Sequence, residues 1–238
     1  MDGHDLEPKK DSIFMSNINC YNYLIDDAEQ LLILAKDKYN MRTFKCTQYC
    51  RTAILLYILA LEALINRAMD EFLPVNIRSF FLEREQRLSQ IDKWELLPMF
   101  CSEPLTNNID KSKYPWSVLK ELIRIRNDFV HPKHNRTIFM KVIANKTFDN
   151  LDIGDIPDKL YYKTKDGKSH QIKNSDLMYS QTRLPKDPYS YRPEDVEKIR
   201  TYVFDIVTWL DKLMSGRIFK DKWCTSDNMT KIWPEQEL

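Results

Sequence analysis

Apolar residues recur at helical spacing along most of the chain. The pattern from about residue 19 to Tyr39 predicts a first helix, and a longer one from Thr43 to Phe72 predicts a second. The centre of the second helix, residues 53–61, is apolar on every side, so we expect other elements to cover it on more than one face. Two more amphipathic helices are predicted, from Trp116 to about Val130 and from Pro193 to near Gly216.

Between these helices the pattern is weaker. Residues 78–90 are a charged helical stretch, and a shorter apolar piece follows that is expected to end near Pro98. Residues 137–190 lose helical periodicity, and prolines interrupt them. Within that segment, residues 161–172 predict a short β-hairpin around the Asp166-Gly167 turn.

These elements predict an all-α fold, a helix bundle with a partly irregular insertion that contains the short β-hairpin. The insertion is too short and too polar to build much core of its own. The chain is expected to divide into a flexible N-terminal arm (1–15), a helical domain (16–216) with the insertion at 137–190, and a C-terminal tail (217–238).

Composition excludes several functional classes. The 238 residues are 43% hydrophobic and carry a net charge of +1, so nucleic-acid binding would need a local patch. No phosphate-binding or dinucleotide-binding glycine motif occurs, so no cofactor is expected. Cys46 and Cys50 are expected to be buried core residues rather than metal ligands, since no His or Cys pair completes a zinc set.

The cysteine usage and the polar N-terminus favour a reducing cytoplasm. The five cysteines are odd in number and scattered, which disfavours a disulfide framework. Residues 1–12 lack the apolar core of a signal peptide. The most apolar segment, residues 53–69, contains Glu62, Asn66 and Arg67, so we interpret it as a core helix rather than a membrane span.

The candidate chemistry lies at residues 126–131, Arg-Asn-Asp-Phe-Val-His. Arg126 is a permanent cation that binds phosphate, and His131 can transfer protons near neutral pH. Arg126 continues a half-buried apolar stripe, so it must be paired or face a cleft. On an ideal helix His131 would point about 140° away from Arg126. Pro132 pushes His131 out of the helical region, which lets it turn toward Arg126.

Asn127 is a candidate to orient His131 or to hold a phosphate oxygen. Glu62 is a supporting candidate, because an unpaired carboxylate in an apolar helix is costly and pairing with Arg126 or His131 would remove that cost. Two plainer explanations stand beside these. Arg126 and His131 are also consistent with a surface pair or with cations at a helix C-terminus. Glu62 is equally consistent with another basic partner or with an exposed carboxylate.

Arg126-Asn127 followed by His131, at the end of a helix in an all-helical bundle, resembles the signature of the HEPN superfamily (higher eukaryotes and prokaryotes nucleotide-binding). Residues 59–66, Leu-Ala-Leu-Glu-Ala-Leu-Ile-Asn, resemble the apolar second helix of many HEPN domains. The resemblance covers residues 16–136 and 193–215. It departs at Lys133, where some HEPN toxins carry a tyrosine that a nucleotidyltransferase antitoxin modifies.

The resemblance implies a metal-independent endoribonuclease that acts as a toxin or an antiviral defence effector. It implies a homodimer whose two Arg–His motifs meet at the interface, with RNA and an antitoxin or other defence-system protein as partners. In the implied reaction the RNA 2′-OH attacks the adjacent phosphate. His131 moves the proton and Arg126 stabilises the transition-state charge.

Local charge also favours a phosphate partner. Residues 111–136 hold seven basic residues and two acids, a net +5, of which the candidate RNA contacts are Lys120, Arg124, Lys133, Arg136 and, in addition, His134. A solvated charged face is the plainer explanation. Two other functions stay open. One is a non-catalytic HEPN-like module that binds RNA or a nucleotide or serves as a scaffold in a defence complex. The other is a structural protein in which Arg126 is a buried salt-bridge partner.

Overall fold

The computed structural model describes residues 20–37, 43–75, 77, 88–101, 109–130, 160–163, 169–172 and 177–220. This part of the chain is mostly helical, which confirms the all-α prediction. Its helices are α1 (Cys20–Lys36), α2 (Phe44–Phe72), α3 (Gln90–Cys101), α4 (Trp116–Val130), α5 (Pro193–Leu213) and the short α6 (Arg217–Lys220).

Helix α2 is the centre of the bundle. The hydroxyl of Thr43 caps its first turn by accepting a hydrogen bond from the Cys46 N–H at 3.2 Å. The helix packs against α1, α3, α4 and α5, so the predicted cover on several faces is confirmed. Among the described helices α2 alone is long and apolar enough to cross a membrane. More than half of its most apolar stretch is buried inside the bundle, as a central core helix requires.

A buried polar contact ties α1 and α5 to the centre. The Tyr57 hydroxyl of α2 donates to the Glu29 carboxylate of α1 at 2.8 Å. Arg200 of α5 donates to the same carboxylate. Tyr57 is fully buried, and this contact satisfies its hydroxyl group.

Helices α4 and α5 are amphipathic and pack on α2 and on each other. The rings of Trp116 and Trp209 lie 6.0 Å apart between them, so Trp116 is a core residue. Helix α5 begins at Pro193 as predicted, and the Asp195 carboxylate accepts the Arg192 N–H at 3.1 Å in its first turn. It ends at Leu213. Gly216 then separates it from α6, and its positive φ of 80° suits glycine.

Two predicted boundaries were wrong. Helix α1 ends at Lys36 rather than near Tyr39. Helix α3 continues through Pro98 to Cys101 instead of ending at the proline. Pro98 removes one helical hydrogen bond, but it is buried with its neighbour Leu97 on the core face, so packing holds the last turn in place. The predicted charged helical stretch lies mostly outside the described residues, because residues 78–87 are not among them.

Part of the predicted insertion contains ordered structure. Strand β1 (Leu160–Lys163) pairs antiparallel with β2 (Ser169–Ile172), with Leu160 opposite Ile172. These strands lie at the positions of the predicted hairpin. Its Asp166-Gly167 turn lies outside the described residues and stays a prediction.

Residues 177–190, the end of the predicted insertion, fold as a compact turn against the bundle. The Tyr179 N–H donates to the Leu184 carbonyl at 2.8 Å, and both side chains are buried in the core. A 3₁₀ turn at Pro188–Ser190 follows, and its Tyr189 ring lies against Phe44 and Arg51 of α2. This segment therefore joins the core and leads directly into α5.

Candidate active site around Arg126

Three helices bring polar side chains together near the end of α4. Arg126 of α4 donates from Nη2 to Glu62 Oε1 on α2 at 3.1 Å, and the same nitrogen lies 2.9 Å from Glu62 Oε2 in an ion pair. Gln90, the first residue of α3, donates from Nε2 to the same Glu62 Oε1 at 2.8 Å. The pairing of Glu62 with Arg126, one of the two alternatives that the sequence left open for Glu62, is therefore present.

Both members of the ion pair are half-buried. The Arg126 side chain is 25% exposed and that of Glu62 is 26% exposed. They share a small pocket between α2, α3 and α4 whose other walls are mainly apolar: Ile58, Leu61, Gln90, Trp94, Leu119, Leu122 and Ile123. Apolar walls lower the local dielectric, which strengthens the attraction between the charges but also raises the cost of removing them from water.

Asn127 lies beside the ion pair. Its Oδ1 accepts a hydrogen bond from Arg126 Nη1 at 3.0 Å. Its side chain is exposed, and its amide N–H₂ group donates to no acceptor within the described part of the chain. Glu62 therefore binds Nη2 and Asn127 binds Nη1, and the two contacts together orient the plane of the guanidinium.

Lys120 and Arg124 are both exposed on α4. With Asn127 they stand at spacings of four and three residues, so the three lie on one helical face. The Arg124 guanidinium lies 5.9 Å from the centre of the Tyr179 ring, within range of a cation–π contact. This face is the described part of the predicted RNA-contacting patch.

Other cations of that patch are neutralised. Lys111 Nζ lies 2.7 Å from Glu95 of α3, and Lys113 Nζ lies 3.1 Å from Asp110. The net charge of +5 counted along the sequence therefore overstates the charge available to a ligand. The count over residues 111–136 left out both acidic partners. Glu95 is distant in sequence, and Asp110 precedes the range by one residue.

His131 directly follows the last residue of α4, and it lies outside the described residues, as do Lys133, His134 and Arg136. The predicted approach of His131 to Arg126 therefore stays a prediction. The structure describes the Arg126 side of the candidate site, up to Val130.

Gln90 is a member of the site that sequence reasoning missed. A signal for it exists, because Gln90, Trp94, Leu97 and Cys101 follow one another at spacings of four, three and four residues. That spacing places Gln90 on the buried face of α3, where a polar side chain needs a partner. A second polar contact joins the same helices one turn away, where Lys93 Nζ donates to Asn66 Oδ1 at 2.9 Å.

Cys46 and Cys50 are buried, which confirms the prediction of burial. Burial raises the pKa of the Cys50 thiol, which favours its protonated form. Within the described ranges no cluster of three or more His, Cys, Asp or Glu side chains is arranged to hold a metal ion.

No family model, curated protein sequence or solved structure matches the chain significantly. The features that bear on function are the geometry around Arg126 and the motif of residues 126–131.

Proposed function

We propose that the chain is a HEPN-like, metal-independent endoribonuclease that acts as a toxin or an antiviral defence effector. The observation that carries the proposal is the placement of Arg126. Its guanidinium is held by Glu62 and Asn127, lies partly exposed in a mainly apolar pocket, and precedes His131 by five residues at the end of α4.

The chemistry follows from what RNA already contains. The 2′-oxygen attacks the neighbouring phosphorus while the bond to the 5′-oxygen breaks, which gives a 2′,3′-cyclic phosphate and a 5′-hydroxyl end. His131 either removes the 2′-hydroxyl proton or protonates the departing 5′-oxygen. Arg126 stabilises the negative charge that grows on the phosphoryl oxygens. A guanidinium has five N–H donors, so binding by Glu62 and Asn127 leaves donors for a phosphate.

The supporting residues have separate roles in this proposal. Glu62 holds the Arg126 side chain in one conformation, and Asn127 offers its amide N–H₂ group to His131 or to a phosphate oxygen. Lys120 and Arg124 line the exposed face of α4 that leads to Asn127, and Lys133, His134 and Arg136 continue the basic sequence beyond it. The proposed assembly is a cytoplasmic homodimer with a composite site and with an antitoxin or other defence protein as partner.

The ion pair also gives weight to a non-catalytic HEPN-like module, because Glu62 already satisfies much of the Arg126 charge. The two proposals differ in what RNA does on contact with the protein. A catalyst leaves fragments with defined ends, whereas a binding module or a scaffold leaves RNA intact.

The test incubates cellular RNA with wild type, His131→Ala and Arg126→Ala in EDTA and maps the ends of any fragments. We expect cleavage by wild type alone, with cyclic phosphate and 5′-hydroxyl ends. Arg67→Ala is the matched control, because it removes an arginine of α2 that pairs with Glu71. This variant should cleave RNA like wild type. Cleavage that needs an added metal, or that survives in His131→Ala, would contradict the proposed mechanism.

The RNA-contacting face has its own test. Lys120→Ala and Arg124→Ala should each weaken RNA binding and flatten its salt dependence by about 0.7 in the slope of log K against log salt, the loss expected for one phosphate contact. Lys36→Ala is the control, because Lys36 is exposed on α1 and paired with Glu197. Unchanged slopes in the two α4 variants would remove that face from the RNA interface.

A further inference from the structure

Two buried polar atoms, Gln90 Oε1 and Arg126 Nε, make no hydrogen bond within the described part of the chain. Buried polar atoms are rarely left unsatisfied, because each lost hydrogen bond costs free energy. One of these atoms is an acceptor and the other carries an N–H donor, so a single small molecule can satisfy both.

The orientation of the Gln90 amide explains why its oxygen is left over. Its Nε2 donates to Glu62 Oε1, and turning the amide over would place two oxygens against each other. Gln90 and Arg126 both line the small pocket between α2, α3 and α4. The free volume of that pocket is about 10 Å³, about the room that one water needs.

We propose that Gln90 is a positioning residue for Arg126, acting through Glu62 and through one buried water that bridges Gln90 Oε1 and the Arg126 Nε–H group. Gln90 holds one oxygen of the carboxylate that binds Nη2, and the water holds Nε. With Asn127 on Nη1, every nitrogen of the guanidinium is then fixed. The consequence for RNA cleavage rests on the proposed function, whereas the network itself does not.

The experiment compares wild type with Gln90→Met, which keeps the length of the side chain and removes both amide groups. Gln30→Met is the matched control, because Gln30 is exposed on α1. Nitrogen-15 NMR follows the Arg126 Nε–H signal, assigned by its absence in Arg126→Lys. We expect slow hydrogen exchange and a cross-peak to a long-lived water in wild type and in Gln30→Met, and loss of both in Gln90→Met.

Cleavage kinetics give a second readout. A positioning role predicts that Gln90→Met lowers kcat by up to about 100-fold with little change in KM, because a small displacement of a catalytic group affects the transition state most. If wild type cleaves no RNA, the proposed function fails, and the NMR result alone shows whether the hydrogen-bond network around Arg126 exists. An Nε–H signal that exchanges equally slowly in Gln90→Met would overturn the inference. If that variant does not fold, absence of the water cross-peak in wild type would overturn it as well.

Discussion

The buried carboxylate of Glu121 gives the sharpest prediction about stability. Glu121 is 7% exposed, and its carboxylate accepts four hydrogen bonds from the turn that precedes α5. Ser180 donates from its backbone N–H and its hydroxyl to Oε1, at 2.9 and 3.1 Å. The N–H groups of Gln181 and Thr182 donate to Oε2, at 2.9 and 2.6 Å. This contact fastens residues 177–190 to the helix that carries Arg126.

The variant Glu121→Gln keeps the shape of the side chain but replaces one acceptor oxygen with an N–H₂ group. If Oε2 is replaced, the N–H groups of Gln181 and Thr182 both face a donor. If Oε1 is replaced, only the Ser180 N–H faces a donor, because the Ser180 hydroxyl can turn and accept from the new N–H₂ group. Since the glutamine takes the less costly orientation, we expect a destabilisation of about 1–3 kcal/mol, the cost of one buried donor without an acceptor. In a domain of this size it corresponds to a fall in Tm of roughly 2–12 °C.

Thermal and urea unfolding measure the effect, with Glu197→Gln as the matched control. Glu197 forms an exposed ion pair with Lys36, so the control should lie within about 0.5 kcal/mol of wild type. Hydrogen exchange at Ser180, Gln181 and Thr182 shows whether the loss is local, and these amides should exchange faster in Glu121→Gln. A variant as stable as the control, with unchanged exchange, would refute the claim that Glu121 holds the turn.

Three further predictions concern buried groups. Tyr57→Phe removes the hydrogen bond to the α1 carboxylate and should cost about 1.5–3 kcal/mol in urea unfolding, whereas Tyr23→Phe, at a 63% exposed side chain, should cost almost nothing. Cys20 is exposed and should react with iodoacetamide in the folded protein. Cys50 is buried, and burial raises the pKa of its thiol, so it should react only after unfolding. Mass spectrometry of the labelled peptides measures both reactions. Burial also raises the folded-state pKa of Asp195 above 3.8, so over the pH range just above 3.8 the folded protein keeps a proton that the unfolded chain has lost. The charged carboxylate therefore makes the folded state less stable at pH 7, and this cost disappears as the pH falls toward 3.8. The difference in the free energy of unfolding, Asp195→Asn minus wild type, should therefore be larger at pH 7 than at pH 4, and equal differences at the two pH values would exclude this linkage.

Helical periodicity predicted the bundle because its long helices bury continuous apolar stripes. The start of α2 at its Thr43 cap and the start of α5 at Pro193 follow from local chemistry that a sequence displays. The continuation of α3 past Pro98 does not, because it depends on burial against other helices. The docking of residues 177–190 could not be predicted either, because the carboxylate that accepts four hydrogen bonds from this turn belongs to Glu121, about sixty positions earlier in the chain.

The candidate site was predictable to the extent that an isolated charge on an apolar helix needs a partner. That rule pointed to Glu62 and Arg126 independently, and the structure joins them. It did not reveal Gln90, because a polar residue at the end of a charged stretch resembles an ordinary helix start. The ion pairs that neutralise Lys111 and Lys113 were missed for a similar reason, since summing charges along a segment ignores acids that the fold brings in from outside it.

The Glu62–Arg126 pair also allows structural and catalytic roles to be separated. A buried ion pair can often be replaced by apolar residues of similar size at little cost, whereas removing one partner leaves a charge uncompensated. Glu62→Met should therefore destabilise the protein by about 1–3 kcal/mol, less than a fully buried pair would lose because both side chains are about one quarter exposed. The double variant Glu62→Met, Arg126→Met should recover most of that stability in urea unfolding. It should still cleave no RNA, because the transition-state charge has lost its cation. A double variant that recovers both stability and cleavage would show that Arg126 serves the fold alone, and the chemistry proposed here would then have to be sought elsewhere in the chain.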